Sequence, residues 1–444
     1  MTHRTLSRRT STFAVVWLGQ FVSLLGSGLT SFAIGVWVFE HTASITQFSL
    51  MGLCAVLPRV VLSPLAGTLV DRWDRRWAMI LSDVGAGLST LAIVLLLLFD
   101  RLEVWHVYLA VATGAACGTV QWLAYTAVTS LLVPRENLGR ANGMVQFGQA
   151  VSDILAPALA GFLTAAIRLE GVILIDVATF VFAVGTLLLV RFPRPKSVVA
   201  GRTEKAPLWS GMSSGWKYVA ARRGLLGLLV FVALTRFLWG MVGALVTPMI
   251  LSFAPSEVLG AIISTAGGGM LVGSLVMSVW GGPRRRVDGV LYFELLSGVC
   301  FLLMGLRPAF WLIGVGAFGA HLTIAIIYGS NQAIWQSKVA PDVQGRVFAV
   351  QEMVARAASP LAYLLAGPLA DKVFEPLLAP GGPLASGVGQ VVGVGAGRGI
   401  GLIFVVMGML KIAVALAGQL DPHIRHVEDE LPDAVARQPD PSAA

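Results

Sequence analysis

GTLVDRWDRR, residues 67–76, places five charged side chains between two long apolar stretches. The flanks include CAVLPRVVLSPLA and AMILSDVGAGLSTLAIVLLLLF, and a run of about 20 apolar residues crosses a bilayer as a helix. A short charged connection between two such helices predicts a tight turn at the membrane surface. Positive charge that merely orients the helices would explain the arginines but neither the glycine nor the first aspartate. The pattern G-x-x-x-D-R-x-x-R-R is formed by Gly67, Asp71, Arg72, Arg75 and Arg76.

Composition identifies the chain as an integral membrane protein. Of its 444 residues, 56% are hydrophobic and 13% are charged, whereas soluble proteins contain about 25% charged residues. The formal charge of +8 comes from arginines in short loops, so it does not indicate a nucleic-acid partner. Cys54, Cys117 and Cys300 lie in apolar runs and are interpreted as small buried hydrophobes. No nucleotide-binding loop, metal cluster or catalytic triad emerges, so we expect neither an enzyme nor a cofactor.

Apolar runs of membrane-spanning length occur twelve times, and we name them span 1 to span 12 in chain order. They predict an all-α membrane protein with twelve transmembrane helices. The spans cover residues 12–37, 46–70, 78–99, 104–133, 142–167, 171–192, 223–252, 257–281, 289–306, 309–337, 347–370 and 398–419.

The distribution of basic residues predicts the orientation. Of the 32 Lys and Arg residues, five fall in loops on one side, four lie within spans, and the remaining 23 lie on the opposite side. Cytoplasmic loops carry the excess of Lys and Arg, so both termini are predicted to be cytoplasmic, in the plasma (inner) membrane. The five external residues are Arg101, Arg168, Arg307, Lys372 and Arg398.

Loops divide the chain into predicted domains. Residues 193–222 are basic and contain Pro, Gly and Ser, which predicts a cytoplasmic linker with one amphipathic turn near Trp216 and Tyr218. The domains are then 1–192, the linker 193–222, 223–420 and a cytoplasmic tail 421–444, which we expect to be disordered. The Gly-rich external segment 375–397 is expected to be flexible.

The two halves share features at a constant offset of 206 residues. Gly139-Arg140 recurs as Gly345-Arg346, and Ala160-Gly161 recurs as Ala366-Gly367. Two matches in equivalent loops and helices predict an internal duplication and two pseudo-symmetric six-helix bundles. GGPRRRVDG at 281–289 is the degenerate second copy of the charged turn, because it keeps Arg284, Arg285 and Arg286 but has Gly281 where Asp71 would align.

The motif at 67–76 resembles the loop 2–3 signature of the major facilitator superfamily. LPRVVLSPLAGTLVDRWDRR (57–76), NQAIWQSKVAPDVQGRVFAVQ (331–351) and SPLAYLLAGPLAD (359–371) also resemble the branch that contains macrolide-efflux proteins and the enterobactin exporter. Efflux permeases found beside peptide- and polyketide-synthesis genes are similar too. The resemblance covers about residues 12–420 and implies a substrate site near the midplane. Span 4 departs from the pattern, since it lacks the Arg of many proton-coupled antiporters.

The resemblance also implies a gate, because helix 2 lies against helix 11 in this superfamily. Helix 11 begins near Gly345 and Arg346, where free N–H groups and the helix dipole favour an anion. Asp71 would then latch the cytoplasmic side, and Gly67 would allow close approach of the two helices. Arg72, Arg75 and Arg76 are expected to hold the loop against carboxylates and lipid phosphates.

Charges within spans need a reason, because each costs at least about 2.5 kcal/mol at the bilayer centre. Arg59, Asp153 and Arg236 lie about 12 residues, roughly 18 Å, from the cytoplasmic ends of their spans. For Arg59 and Asp153, a mutual ion pair and a transport role both stay open. Glu352 and Arg356 have the spacing of a local ion pair.

Arg236 and His321 are the preferred candidates for substrate or proton handling, because the resemblance places spans 1, 4, 7 and 10 around the cavity. A hydrogen-bonded structural histidine stays open for His321. We expect Asp83, Asp176 and Glu294 to lie nearer the span ends. Rings and amides on the four spans favour a bulky amphipathic ligand over a sugar. They are Trp17, Gln20, Gln121, Trp122, Tyr125, Trp239, Tyr328 and Asn331, whereas Trp335 is expected at the lipid interface.

Two function classes remain. The first is a secondary transporter, expected to act as a monomer that exports an amphipathic macrolide-, siderophore- or drug-like molecule in exchange for protons. A nutrient importer of the same fold is the alternative within this class. The second class is a non-transporting receptor or lipid-scrambling protein. The duplication and the motif at 67–76 favour the transporter, since a static receptor needs no rocking hinge.

Overall fold

A computed structural model of the chain describes residues 3–133, 138–190, 215–339 and 343–430. In these ranges the protein is helical and contains no β-strand. The predicted all-α fold is therefore confirmed. The long helices are His3–Thr42, Ile45–Arg72, Arg75–Leu98, Val104–Leu132, Leu138–Leu189, Arg223–Leu251, Ser256–Trp280, Arg286–Leu306, Phe310–Lys338, Gln344–Leu369 and Arg398–Leu420.

The described ranges hold eleven helices that are long and apolar enough to cross a membrane. The helix Leu138–Leu189 has 52 residues and would extend about 78 Å, more than twice the hydrocarbon thickness of a bilayer. Its backbone is interrupted at Arg168, where φ is 62° and ψ is 176°. This helix therefore supplies two crossings, spans 5 and 6, with Arg168 between them.

Contacts with span 1 show that the chain reverses direction at this break. Before it, Ser152 Oγ donates to the Leu24 carbonyl at 3.2 Å, and Gly28 packs on Ala156, so span 5 runs parallel to span 1. After it, Gly26 packs on Asp176. Gly19 packs further along on Thr186, so span 6 runs antiparallel to span 1. Twelve crossings follow.

Residues cluster into two compact units, and the first unit includes two segments of the C-terminal part of the chain. The first unit comprises Met1–Ala200, Ala244–Ser264 and Ala366–Lys372. The second comprises Gly201–Gly243, Thr265–Leu365 and Val373–Ala444.

The first unit is organised around span 1. Its largest cluster of buried side chains includes Phe13, Met79 and Leu187, which come from spans 1, 3 and 6. The segment Ala244–Ser264 belongs to this unit and contacts span 5, where Ser264 Oγ donates to the Ile154 carbonyl at 2.5 Å.

In the second unit, spans 9 and 12 approach closely through paired glycines. Gly298 faces Gly408, and seven residues further along Gly305 faces Gly401, so that a Cβ at any of the four would collide with the opposite backbone. Small residues allow membrane helices to pack this closely. Trp335 belongs to the buried core of this unit and is fully inaccessible, so its expected position at the lipid interface was wrong.

Two segments expected to be loose are folded. Short helices Pro422–Arg425 and Val427–Glu430 follow span 12, and Glu428 Oε2 accepts from the Val287 N–H at 2.9 Å. Residues 431–444 lie outside the described ranges. The Gly-rich segment 375–397 forms the helices Glu375–Leu378 and Gly389–Val392. Arg398, counted as an exposed loop charge, is buried and donates to the Gly305 carbonyl at 2.8 Å.

The end of the predicted linker is also folded. Residues 215–220 form a helical turn in which Trp216 is exposed and Val219 is buried. The Arg222 guanidinium lies 3.6 Å from the centroid of the Tyr218 ring. The amphipathic turn is therefore present, whereas residues 193–214 of the linker lie outside the described ranges.

Large apolar side chains cover much of the surface. Leu189, Val279 and Leu420 are 84%, 89% and 82% exposed. Such exposure has no cost when the surrounding solvent is lipid, and the helices satisfy their own backbone hydrogen bonds. The chain is a multi-pass membrane protein.

Candidate functional site

Spans 7, 9, 10 and 12 of the second unit enclose a pocket with a charged and aromatic lining. Its free space is about 450 Å³, the open mouth included. The lining residues are Val232, Thr235, Arg236, Trp239, Glu294, Ser297, Ile324, Ile327, Tyr328, Asn331 and Lys411.

A buried ion pair forms one wall of the pocket. Lys411 Nζ lies 2.7 Å from Glu294 Oε2, and the two side chains are only 3% and 5% exposed. The close approach of spans 9 and 12 at Gly298 and Gly408 brings these residues together, since each lies within one helical turn of the glycine on its own span. The pair contributes no net charge to the pocket.

Lys411 and Glu294 were missed as site residues. Glu294 was expected near the end of span 9, but the helix begins at Arg286, three residues before the predicted span, which moves Glu294 towards its middle. Lys411 was not considered, although a lone lysine inside an apolar span is a functional candidate on the cost of its charge alone.

Trp239 is the central ring of the pocket. Its centroid lies 5.3 Å from Lys411 Nζ and 5.2 Å from the centroid of Phe301. The His321 ring stands edge-on to it at 5.1 Å, and His321 Nδ1 contacts the Ala317 carbonyl at 2.9 Å. His321 therefore supports Trp239 from behind and is absent from the pocket lining, which favours the structural interpretation that stayed open for it.

Arg236 faces the pocket without an acidic partner. Its guanidinium carbon lies 5.9 Å from the centroid of the Tyr328 ring, and within the described ranges no Asp or Glu comes within ion-pair distance of it. Asn331 Oδ1 accepts from Trp335 Nε1 at 3.2 Å, which leaves the Asn331 amide N–H groups as donors. The structure thus brings together four predicted residues, namely Arg236, Trp239, Tyr328 and Asn331.

The first unit contains a different polar cluster, centred on Asp83 in span 3. The carboxylate is buried and accepts from Gln20 Nε2 at 3.0 Å and from Gln121 Nε2 at 3.4 Å. Gln121 Nε2 also donates to Gln20 Oε1 at 2.5 Å. No described cation lies within ion-pair distance of Asp83. Asp83 was expected nearer the end of span 3, but the helix starts at Arg75, three residues before the predicted span, which places Asp83 deeper.

Asp83 and Glu294 occupy equivalent positions in the two halves. Each is the ninth residue of its helix, counted from Arg75 in span 3 and from Arg286 in span 9. The second-half acid is neutralised by Lys411, whereas the first-half acid has only amide partners. The pseudo-symmetry therefore preserves the carboxylate but not its countercharge.

A second acid of the first unit is also buried. Asp176, which is 1% exposed, accepts from Ser27 Oγ at 3.3 Å and from Thr179 Oγ1 at 3.4 Å. Its backbone packs on Gly26, which fixes span 6 against span 1. It too was expected near a span end and lies instead inside the helix bundle.

The remaining charged candidates are exposed. Asp153 accepts from Gln149 Nε2 at 3.0 Å on its own helix, and no ion pair joins it to Arg59 although both are described. The Glu352–Arg356 pair predicted from spacing is present, with 2.6 Å between Arg356 Nε and Glu352 Oε1. Both of its side chains are more than half exposed, so its energetic contribution is small.

The other predicted lining residues divide between core and surface. Trp17 stacks on Phe21 and donates to the Met144 carbonyl at 2.9 Å. Tyr125 is buried in the core of the first unit, and its hydroxyl has no hydrogen-bond partner among the described residues. Trp122 is 47% exposed.

The charged turn of the motif is described only in part. Asp71 and Arg72 end the helix of span 2, and their side chains, like any packing at Gly67 and Gly345, lie outside the described features. Arg76 donates to the carbonyls of Leu187 and Leu188 at 2.9 and 2.7 Å. This arginine therefore binds the free carbonyls that end span 6, rather than the expected carboxylates.

The structure describes more of the second copy of the charged turn, residues 281–289, and of the start of span 11. Arg285 Nη2 donates to Asp429 Oδ2 at 2.7 Å, so the degenerate turn docks the folded tail segment. Arg75 is half-buried, Arg346 is exposed, and the helix of span 11 begins at Gln344.

Twelve membrane crossings and a charged pocket enclosed by helices define the class of multi-pass membrane transport proteins. The sequence profile of the Major Facilitator Superfamily matches residues 16–363. The chain belongs to the major facilitator superfamily, whose members are transporters and not enzymes.

Curated relatives place the chain among efflux proteins by similarity. It is 29% identical to macrolide efflux protein A of Streptococcus pyogenes over 366 residues, which cover 81% of this chain and 90% of the relative. It is 25% identical to the multidrug efflux pump Tap of Mycobacterium tuberculosis over 379 residues, 82% of this chain and 88% of the pump. The resemblance to the macrolide-efflux branch is confirmed.

Solved structures show the same fold. A bacterial homologue of the human lysosomal transporter Spinster, in an inward-facing and unoccupied conformation, matches with a TM-score of 0.70 and 13% identity. The match covers 99% of this chain and all of that one. The nucleoside transporter NupG matches with a TM-score of 0.70 and 12% identity, covering 91% of this chain and 99% of the transporter.

Proposed function

We propose that this protein is a secondary transporter that exports an amphipathic small molecule from the cell in exchange for protons. The observation that carries the proposal is the pocket of the second unit. Its rings suit a bulky apolar moiety, whereas Arg236, Asn331 and Ser297 supply polar contacts. The names of the curated relatives, macrolide and multidrug efflux proteins, support the direction of transport.

The proton would be carried by Asp83. An ionisable side chain that lies inside a membrane span with no described cation beside it is a candidate for a proton relay. Its amide partners Gln20 and Gln121 can hydrogen-bond both the charged and the neutral form. This assignment places coupling in the first half and substrate contacts in the second.

The gate and the topology complete the proposal. We assign the cytoplasmic latch to Asp71 at the start of span 11, near Gly345 and Arg346, and we place both termini and the linker 193–222 in the cytoplasm of a monomer in the plasma membrane. A cysteine at position 202 should resist an impermeant external reagent in intact cells. Ready modification would overturn the orientation.

Accumulation in cells tests the function. A host without its own major efflux pumps, expressing this protein, should accumulate less of a macrolide such as erythromycin than the vector control. A protonophore should abolish the difference. Unchanged accumulation across macrolides, siderophores and amphipathic dyes would refute export, and concentration of a hydrophilic nutrient would instead assign the chain as an importer.

A further inference from the structure

The pocket of the second unit has an uncompensated positive charge. Its lining contains the cations Arg236 and Lys411 and the single acid Glu294. Lys411 is committed to Glu294 at 2.7 Å, and both are almost completely buried. The charge of Arg236 therefore remains, and it sets the sign of the electrostatic potential in the pocket.

Arg236 lies too deep in its membrane span for bulk water to solvate its charge. It is 13 residues from the start of the 29-residue helix Arg223–Leu251, which is about 20 Å along the axis and near the middle of the helix. Charged residues at such depth pair with one another or mark a ligand pathway. No described Asp or Glu forms an ion pair with Arg236, and the Tyr328 ring at 5.9 Å offers it only a weak cation–π contact.

The neighbours of Arg236 suit an acid attached to an apolar body. Ser297 is fully buried, and its hydroxyl lines the pocket without a hydrogen-bond partner among the described residues. Asn331 retains free amide N–H groups on the same wall. Trp239 and Tyr328 present ring surfaces beside these donors. Arg236, the Ser297 hydroxyl and the Asn331 amide can each donate a hydrogen bond to an anion.

We propose that this pocket binds the acidic group of the exported molecule, with Arg236 as its ion-pair partner, so that among amphipathic molecules this protein prefers organic acids. The inference rests on the proposed function and narrows its substrate class. A guanidinium binds a carboxylate through two parallel hydrogen bonds. Lys411 does not compete for this group, because Glu294 already occupies it.

Binding of matched fluorescent probes tests the proposal. Dansylglycine carries a carboxylate, whereas dansylamide is neutral and otherwise similar. In purified protein in phosphatidylcholine nanodiscs, we expect dansylglycine to bind about tenfold to hundredfold more tightly than dansylamide, the range of a charge-assisted hydrogen bond. Equal affinities would overturn the proposal.

Variants of Arg236 test whether this residue causes the preference for dansylglycine over dansylamide. Arg236→Gln should abolish it, whereas Arg59→Gln, the control at another membrane arginine, should leave it unchanged. Arg236→Lys keeps the charge but not the two parallel hydrogen bonds, so it should weaken only dansylglycine, and it gives a result even if the Gln variant does not fold. A full preference in either Arg236 variant would contradict the assignment.

Two further arms separate the possible failures. The protein in nanodiscs that contain phosphatidylglycerol should bind dansylglycine with the same affinity as the protein in phosphatidylcholine nanodiscs. Displacement by the anionic lipid would assign the arginine to a headgroup and overturn its assignment to the exported molecule. Export of neutral or cationic compounds without export of acids would refute the acid site alone, whereas absence of all export would refute the transport function.

A second inference comes from the hydrogen bonds that join the end of span 11 to the start of span 2. Span 2 ends with AGTLVD, residues 66–71, and span 11 ends with AGPLAD, residues 366–371. In the first unit, Asp371 accepts from the backbone N–H groups of Ile45 and Thr46 at 3.2 and 2.7 Å and from Ser44 Oγ at 3.2 Å. These groups begin the helix of span 2.

Gly367 makes this contact possible. A Cβ at this position would collide with the backbone of Thr46, so only glycine allows the last turn of span 11 to reach the start of span 2. Asp371 also has a favourable charge, because a helix N-terminus stabilises an anion and presents free N–H groups. The geometry is the one predicted for Asp71 at the other membrane surface.

We infer that Asp371 is a latch that is broken and re-formed in each transport cycle, the counterpart of Asp71 at the opposite ends of the same two spans. In purified protein without native cysteines, maleimide labelling at Thr46→Cys should accelerate about tenfold on Asp371→Ala and less on Asp371→Asn. Lys372→Gln, the control next to it, should leave the rate unchanged. Equal rates in the Asp371 variants and the parent would refute the latch.

Discussion

The ion pair of the second unit permits a quantitative prediction. At 2.7 Å, two unit charges attract by about 6 kcal/mol at an effective dielectric constant of ~20, while moving each ion out of water costs several kcal/mol. The two contributions nearly cancel for the intact pair. They do not cancel when one partner is removed, because the other charge is left buried. Lys411→Met should therefore destabilise the protein by about 3–5 kcal/mol.

The double variant separates charge from packing. Lys411→Met combined with Glu294→Leu removes both ions and keeps the volume, so we expect stability within about 1 kcal/mol of the parent, or higher. Asp429→Asn is the matched control, since Asp429 pairs with Arg285 at the same 2.7 Å but is 63% exposed. This control should cost less than about 1 kcal/mol.

Thermal unfolding in detergent, followed by size-exclusion chromatography of a fluorescent fusion, measures these differences. For a unit of about 200 residues, 3–5 kcal/mol corresponds to a midpoint that is about 6–20 °C lower. A fall of less than 2 °C, well below that range, for Lys411→Met would refute the reasoning. So would a double variant that loses the sum of the two single effects.

Three further predictions follow from the same structure. Asp83→Asn should leave a folded protein whose export no longer responds to a protonophore, measured by accumulation in cells; a full response would exclude Asp83 as the proton carrier. Gly298→Leu should cost at least about 1–3 kcal/mol by separating spans 9 and 12, whereas Gly314→Leu, where a Cβ meets nothing within 4 Å, should be tolerated; equal unfolding midpoints would contradict this. Asp71→Asn should change maleimide labelling of Gln336→Cys by about tenfold and slow export, and unchanged labelling with normal export would reduce Asp71 to a topological marker.

The sequence predicted the number of spans because each apolar run has about the length, roughly 20 residues, that a helix needs to cross a bilayer. It misjudged depth where polar residues begin a helix. Spans 3 and 9 start at Arg75 and Arg286, whose charges made them resemble loops, so Asp83 and Glu294 were placed too close to the surface. A hydropathy profile averages over such ends.

The second limit of the sequence prediction was the direction in which a side chain points around its helix axis. Trp335 was placed at the interface from its position along span 10, but the helix turns it into the core. The family resemblance supplied the orientation of spans 7 and 10, and the structure brings Arg236, Trp239, Tyr328 and Asn331 of these spans into one pocket. Contacts between distant segments had no signal of this kind, as the Asp371–Thr46 hydrogen bond illustrates.

Transport by everted membrane vesicles tests the central claim most directly. Respiring everted vesicles acidify their interior, which corresponds to the outside of the cell. We predict that vesicles containing this protein accumulate a radiolabelled amphipathic substrate above the vector control, and that nigericin, which collapses the pH gradient, abolishes this uptake. Uptake equal to the control, or uptake that persists after nigericin, would contradict proton-driven export.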